Sequence, residues 1–320
     1  MQLTCALACS QGYSALDYAV FSQHPDSQTI VEKGLATFYA AGLAPDAPNP
    51  ELKVQNDVRL ANLKFECANV VSVLRPAFQQ GSKATRAAYC KAYAERTGFQ
   101  SKFTDLTVIP FDKFVENGML PRSSDRVTVP AINPAGEDKF DFYVFISYRW
   151  LRTLALTEGQ KPHPDDENGT IWKQVVKSVR QALTERGISE GRAALWMDFA
   201  CIEQDEFELK VRGVQSLMTV VMCVDAVLTI HSDGYFGRAW CATEVLFTQT
   251  LRDAYGESFM LWLVAKEAED GSVEISVGET QPLTLASTAL SFESDRPQVM
   301  FFNQQAKLLA SELGRNKGKF

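Results

Sequence analysis

Apolar residues in the second half of the chain form short runs that alternate with stretches of helical spacing. The runs cover residues 140–147, 194–198, 226–230 and 259–264. Nearly continuous apolar runs are typical of parallel strands that helices cover on both faces. Between the first two runs, apolar residues recur at every fourth position over 171–183, which predicts a helix. The alternation therefore predicts an α/β domain with a parallel sheet flanked by helices.

The same pattern predicts the remaining elements of this part of the chain. Helices are expected over about 207–222, from about Trp240 onward and near 297–313, and a further strand is expected near 273–277. A polar insert, 151–169, separates the first strand from the first helix. An insert of this length is unusual inside a compact domain.

The first part of the chain has a different pattern. Apolar residues recur at helical spacing over 28–43, 51–79 and 82–97. Glycine, proline and serine then become frequent, apart from a short strand candidate at 127–129. We therefore expect a mainly helical N-terminal domain, 1–125, a linker, 126–138, and the α/β domain, 139–320.

Composition argues against several classes of partner. The formal net charge is −7 and no basic stripe occurs, so a nucleic-acid partner is not expected. The seven cysteines are scattered without a CxxC pair, which is typical of reduced thiols in a cytoplasmic protein and predicts neither a metal site nor disulfides. No apolar run approaches the roughly 18 residues that predict a membrane span, so no membrane partner is expected. The N-terminus also lacks the pattern of a signal peptide.

Three segments that carry polar and aromatic side chains follow predicted strands. They are 147–150, 198–205 and 240–244. The carboxyl ends of parallel strands meet at one edge of a sheet, where open α/β sheets bind ligands. Trp240 and Glu244 are four residues apart, so they share one helix face. The sequence therefore predicts a crevice with a ring and a carboxylate side by side.

Each of these side chains also has a purely structural interpretation. Arg149 fits an ordinary surface ion pair. Asp198 fits a helix cap or a buried hydrogen-bond acceptor. Trp240 fits core packing, and Glu244 fits a favourable charge at the positive end of a helix dipole. Spacing alone leaves the structural and functional interpretations open.

Two segments resemble the TIR (Toll/interleukin-1 receptor) domain. Residues 141–149, Asp-Phe-Tyr-Val-Phe-Ile-Ser-Tyr-Arg, are similar to the opening strand of that family. Ser232, Tyr235 and the segment 240–244, Trp-Cys-Ala-Thr-Glu, resemble its later Ser…Tyr…Trp-Cys-x-x-Glu pattern. The resemblance implies a TIR-like, flavodoxin-like parallel sheet flanked by helices.

The middle segment, 195–205, is closer to the fungal heterokaryon-incompatibility (HET) domain, a relative of TIR. The similarity covers roughly 139–265. Two features depart from the TIR pattern: Val245 and Leu246 follow the glutamate where a leucine is usual, and the insert 151–169 intervenes. The insert is expected to cover the crevice as a lid or to block it.

The resemblance implies a reaction and a set of site residues. In enzymatic TIR domains the glutamate of this pattern cleaves NAD+, so Glu244 is the expected catalytic residue. NAD+ is then the substrate, no other cofactor or metal is expected, and hydrolysis and cyclisation stay open. A carboxylate suits this chemistry because it stabilises the cationic centre that forms on the ribose. The expected ligand-binding residues are Ser147, Tyr148, Arg149, Asp198, Phe199, Ser232, Tyr235 and Trp240.

Within this set, Arg149 is expected to meet a phosphate, Trp240 to form a wall, and the loop 199–205 to close over the ligand. The family also implies an immune or cell-death role and a homo-oligomer formed through the TIR-like domain. The rival hypothesis is a non-enzymatic signalling or assembly module, in which Glu244 is structural. A third hypothesis is base exchange or ribosyl transfer on free nucleosides.

Overall fold

The computed structural model describes five continuous segments and part of the C-terminal region. The segments are 25–40, 75–95, 105–152, 163–256 and 259–268, and beyond them the described residues are 270, 272–285, 288–291, 295, 296, 299, 300, 302, 303, 306 and 310. Most of the helix predicted over 51–79, the middle of the insert 151–169 and much of the helix predicted near 297–313 lie outside these residues.

Within the described residues, a seven-stranded mixed sheet forms the centre of the protein. Its strands lie in the order β2-β1-β4-β3-β5-β6-β7. The strands are β1 (Thr107–Pro110), β2 (Val129–Pro130), β3 (Phe142–Tyr148), β4 (Ala193–Trp196), β5 (Ala226–His231), β6 (Leu261–Glu267) and β7 (Val273–Val277).

The four central strands, β4, β3, β5 and β6, are parallel, whereas β1, β2 and β7 are antiparallel to their neighbours. Along the chain, β3 comes first, β4 joins it on one side and β5 joins it on the other. The connections therefore diverge between β3 and β5, and this order is compatible with a flavodoxin-like fold. The crevice between the carboxyl ends of these two strands is the place where such sheets bind ligands. The predicted α/β class is confirmed.

Helices cover both faces of the sheet. The helices among the described residues are α1 (Pro25–Ala40), α2 (Arg75–Phe78), α3 (Ser82–Glu95), α4 (Phe111–Asn117), α5 (Thr170–Arg186), α6 (Asp198–Cys201), α7 (Phe207–Val221) and α8 (Ala239–Tyr255). The apolar face of α5 packs into one hydrophobic cluster, and α7 and α8 pack into the cluster on the opposite side. All seven residues of β3 are buried as a result, which explains its continuous apolar sequence.

The expected boundary at 126–138 does not separate the sheet. Strand β1 precedes it, β2 lies inside it, and β1 pairs both with β2 and with β4. Val108 and Ile109 are fully buried in this arrangement. A four-residue strand is too short for its apolar pattern to stand out from the helical pattern around it. The mainly helical interpretation of 1–125 therefore missed β1.

Helix α3 is tied to the central sheet by Arg86. The Arg86 guanidinium is buried and donates to Asp138 at 2.7 Å, to Asp225 at 3.3 Å and to the backbone carbonyl of Cys223 at 2.7 Å. It also lies 4.1 Å from the centre of the Tyr143 ring. Asp225 in turn accepts a hydrogen bond from the backbone N–H of Tyr143 in β3. One buried cation thus links α3, β3 and the residues that precede β5.

Candidate functional site

A cleft of about 120 Å³ lies beside α8, next to the carboxyl ends of the central strands. Helix α8 contributes Trp240 and Glu244 to its lining. The segment that follows β4 contributes Asp198, Ile202 and Gln204. The segment that follows β3 contributes Trp150, so all three segments predicted to meet at this edge line one cleft.

Glu244 lies in the second turn of α8 and is 8% exposed. The Ser147 hydroxyl at the end of β3 donates to its carboxylate, and the Tyr235 hydroxyl contacts Ser147 from the other side. The pKa of Glu244 is raised to about 8: burial raises it, the Ser147 hydrogen bond opposes the rise, and the charge of Asp198 adds to it. The free protein therefore holds Glu244 in its neutral form at neutral pH.

A buried hydrogen-bond chain fixes the position of Glu244 from behind. The Trp262 indole N–H on β6 donates to the Thr229 hydroxyl on β5 at 3.1 Å. The Thr229 side chain hydrogen-bonds to Tyr235, and Tyr235 contacts Ser147. The carboxyl group of Glu244 is thus held by side chains that extend across three neighbouring strands.

Asp198 places a second carboxyl group on the cleft. It accepts hydrogen bonds from the Tyr148 hydroxyl and, at 3.0 Å, from the Trp150 indole N–H. Burial raises the pKa of Asp198, whereas these two hydrogen bonds and the positive charge of Lys210 lower it. The two acids thus each take a hydroxyl donor from successive residues of β3.

Two tryptophan side chains form aromatic walls. Trp150 lines the cleft next to Asp198, and Trp240 lines it next to Glu244. The Trp240 indole N–H donates to Asp295 at 3.3 Å, and its ring packs 6.0 Å from the ring of Phe302. Indole rings beside carboxyl groups suit a flat cationic ring, because both attract positive charge.

Two predicted residues lie at neighbouring strand ends with unpartnered polar atoms. Arg149 donates through Nη1 to the backbone carbonyl of Asp233 at 2.9 Å, but its buried Nε has no partner among the described residues. The buried hydroxyl of Ser232 also has none in that part of the chain. Buried polar atoms are normally paired, so this end of β3 and β5 has the capacity to bind an oxygen-rich group.

Phe199 is placed differently from the expectation that it contacts the ligand. It is 2% exposed and does not line the cleft. Its ring packs edge-on against Trp150 at 5.5 Å and against His163 at 5.0 Å. Phe199 therefore anchors the loop after β4 behind the cleft. Ser147, Tyr148 and Tyr235 likewise hold the two carboxyl groups and do not line the cleft.

Sequence reasoning missed the contribution of α7. Lys210, Val214 and Leu217 line the cleft opposite α8. Their spacing of four and three residues is that of one helix face, which was available from the sequence. These residues do not follow a strand directly, so the rule that strand ends carry the ligand site did not select them. Val214 and Leu217 also fit core packing equally well from their pattern alone.

The raised pKa of Glu244 predicts a pH dependence of stability. Between about pH 4.5, its ordinary value, and about pH 8, the folded state keeps a proton that the unfolded state has released. The contribution of Glu244 to the free energy of unfolding is therefore fully present below about pH 4.5. It is lost as the pH rises to about 8, by about 1.4 kcal/mol per pH unit at most.

Urea unfolding at a series of pH values checks this expectation. The Glu244→Gln variant is expected to lack this fall, so that its free energy of unfolding declines less steeply with pH than that of the native protein. Equal slopes in the two proteins would contradict the neutral state of Glu244.

The fold and the cleft define an open α/β protein with one buried carboxyl group, Glu244, and one half-buried carboxyl group, Asp198, beside the divergence point of its sheet. No protein-family model matches the chain, and neither the curated proteins nor the solved structures contain a match to it. In the part of the chain that the structure describes, no helix is both long enough and apolar enough to cross a membrane. Among the same residues, no group of three or more His, Cys, Asp and Glu side chains is arranged to hold a metal ion.

Proposed function

We propose that this protein cleaves the bond between nicotinamide and ribose in NAD+, with Glu244 as the catalytic carboxylate. We further propose that it is a relative of the TIR and HET domains. The observation that carries the proposal is the position of Glu244. A buried carboxyl group faces a cleft with tryptophan walls at the divergence point of a parallel sheet.

The chemistry of the bond matches the environment of Glu244. Nicotinamide in NAD+ is a cationic ring, and its departure leaves positive charge on the ribose. A cation that enters the cleft lowers the pKa of Glu244 from about 8 and favours its ionised form. The carboxylate then stabilises the cationic ribose, or attacks it transiently, in a site that largely excludes water. Water or the adenine ring accepts the ribosyl group.

The size of the cleft supports binding of the nicotinamide end. Its volume of about 120 Å³ is close to the roughly 150 Å³ of a cavity that holds benzene. One aromatic ring therefore occupies it between Trp150 and Trp240. The phosphates of the dinucleotide extend toward Arg149 and Ser232, whose unpartnered polar atoms suit phosphate oxygens.

Incubation of the purified protein with NAD+ tests the proposal. Chromatography is expected to show nicotinamide together with ADP-ribose or its cyclic form, in equal amounts, under conditions that permit self-association. Nicotinamide mononucleotide and AMP in place of nicotinamide would show that the pyrophosphate bond is cleaved instead and would contradict the proposal. Cleavage of free nucleosides in preference to NAD+ would favour ribosyl transfer instead.

One observation favours the rival function of an assembly module. Phe207, at the start of α7, is 79% exposed, and Leu209, two residues further along the helix, is 42% exposed. Apolar side chains at the surface of a soluble domain are candidates for a protein interface. In the enzymatic proposal the same surface serves a homo-oligomer. Self-association without any nicotinamide release would leave assembly as the function.

A further inference from the structure

We propose that the ion pair between Arg122 and Asp205 is a latch that limits the size of the ligand the cleft admits. Arg122 Nη2 lies 2.6 Å from Asp205 Oδ1. The latch joins the part of the chain before β2 to the loop 202–205, which follows α6. Only the catalytic readout of this inference rests on the proposed function, since the movement of the loop is measured without any substrate.

Two further contacts hold the same loop from the same side. The Ser123 hydroxyl accepts a hydrogen bond from the backbone N–H of Gln204 at 3.1 Å, and Ser123 also contacts Glu203 at 3.4 Å. The guanidinium of Arg122 lies 5.5 Å from the centre of the Phe199 ring. Arg122 and Ser123 therefore contact the backbone of the loop at Gln204, the charged side chain of Asp205 and the ring of Phe199.

The latched loop forms a wall of the cleft. Ile202 and Gln204 both line it. Ile202 packs so closely on α7 that a Cβ added to Gly213 would lie 2.6 Å from its Cγ2 atom. The Gln204 side-chain amide folds back and donates to the backbone carbonyls of Asp198 and Ile202 at 3.0 and 2.9 Å. These internal contacts make the loop a compact unit, and the ion pair between Arg122 and Asp205 holds this unit in place as a wall of the cleft.

Asp198 is held independently of the latch. Its carboxyl group is fixed by Tyr148 and Trp150 at the end of β3. Release of Arg122 from Asp205 therefore frees the wall at Ile202 and Gln204 without releasing the carboxyl groups of the cleft. This separation lets the opening change while the chemistry of the site stays the same.

The volume of the cleft determines which ligands the latch excludes. Sites for whole organic ligands usually measure about 300–1,000 Å³, whereas this cleft measures about 120 Å³. In the latched form it holds the nicotinamide ring alone, and the ribose attached to that ring fits beside it only when the wall moves. The fraction of molecules with an open latch therefore scales the apparent affinity for a large ligand and leaves that for a small one unchanged.

Charge reversal tests the latch on the full chain. Arg122→Glu and Asp205→Arg each replace the attraction with repulsion, and the double variant restores an ion pair of opposite polarity. Each single variant is expected to increase amide hydrogen exchange over 198–206 and to lower KM for NAD+, both by about fivefold or more. The inhibition constant for free nicotinamide and kcat are expected to stay unchanged, and the double variant is expected to return to native values.

Arg192→Glu is the matched control, because Arg192 forms an exposed ion pair with Asp141 at the opposite end of β3. It is expected to leave hydrogen exchange over 198–206 unchanged. Native exchange in both single variants, or failure of the double variant to restore it, overturns the latch. An equal change in KM for NAD+ and in inhibition by nicotinamide also overturns it. If exchange follows the expected pattern but no form releases nicotinamide, the latch stands and the proposed function fails.

Discussion

The Glu244→Ala variant is expected to release nicotinamide from NAD+ at least about a thousandfold more slowly than the native protein. We propose that the Glu244 carboxylate stabilises positive charge on the ribose. The second acid on the cleft, Asp198, is held in a different place by Tyr148 and Trp150 and does not replace it. Initial rates of nicotinamide formation at saturating NAD+ measure the effect.

Two further variants show whether the loss arises from the missing charge. Glu244→Gln keeps the size of the side chain, and it is expected to lose activity to a similar extent while it stays folded. Glu274→Gln changes an exposed acid on β7, away from the cleft, and is expected to keep native activity. Activity within about tenfold of native in Glu244→Gln would contradict a role for the carboxylate charge.

The Arg86→Met variant is expected to lower the free energy of unfolding by about 3–5 kcal/mol. Removal of the guanidinium leaves the carboxylates of Asp138 and Asp225, which are only 13% and 23% exposed, without their cation. It also breaks the bond to the carbonyl of Cys223. Urea unfolding measures the loss as the shift in the midpoint concentration multiplied by the native slope.

Arg192→Met is the matched control for this effect. The ion pair of Arg192 with Asp141 is about half exposed on both sides, so its loss is expected to cost no more than about 1 kcal/mol. If Arg86→Met and Arg192→Met lower the free energy of unfolding by the same amount, the buried network around Arg86 does not stabilise the fold more than an exposed ion pair.

The central strands were predictable because a strand that is buried on both faces has a nearly continuous apolar sequence. The apolar runs 140–147 and 226–230 correspond to β3, Phe142–Tyr148, and β5, Ala226–His231, and the edge strand β7, Val273–Val277, matches the strand expected near 273–277. Both runs are bounded by polar residues. The helix over 171–183 falls within α5 because its apolar residues keep a single face toward the sheet.

Strand β1 was not predictable from its pattern. It has four residues, and only Val108 and Ile109 are buried apolar side chains. Its pairing with β4 spans about eighty residues of sequence, and no local feature specifies such a contact. The joining of the N-terminal part to the sheet therefore became visible only in the structure.

The candidate site was predictable as a set of strand ends, but the role of each residue was not. Glu244, Asp198 and Trp240 line one cleft as expected. Ser147 and Tyr235 instead hold Glu244 from behind. The difference depends on the direction of each side chain, which a strand-end position alone does not specify. The wall contributed by α7 required the packing of a helix that carries no distinctive motif.

The pH dependence of the proposed NAD+ cleavage tests the central claim most directly, because it would report the ionisation of Glu244, the group proposed to perform the reaction. Nicotinamide release by the native protein is measured as kcat/KM from about pH 6 to about pH 9, a range that reports the pKa of the free enzyme. The account predicts a rate that rises with pH, reaches half its maximum near pH 8, where half of Glu244 is ionised, and levels off above that pH. A rate that is independent of pH across this range, or no release at any pH, would contradict it.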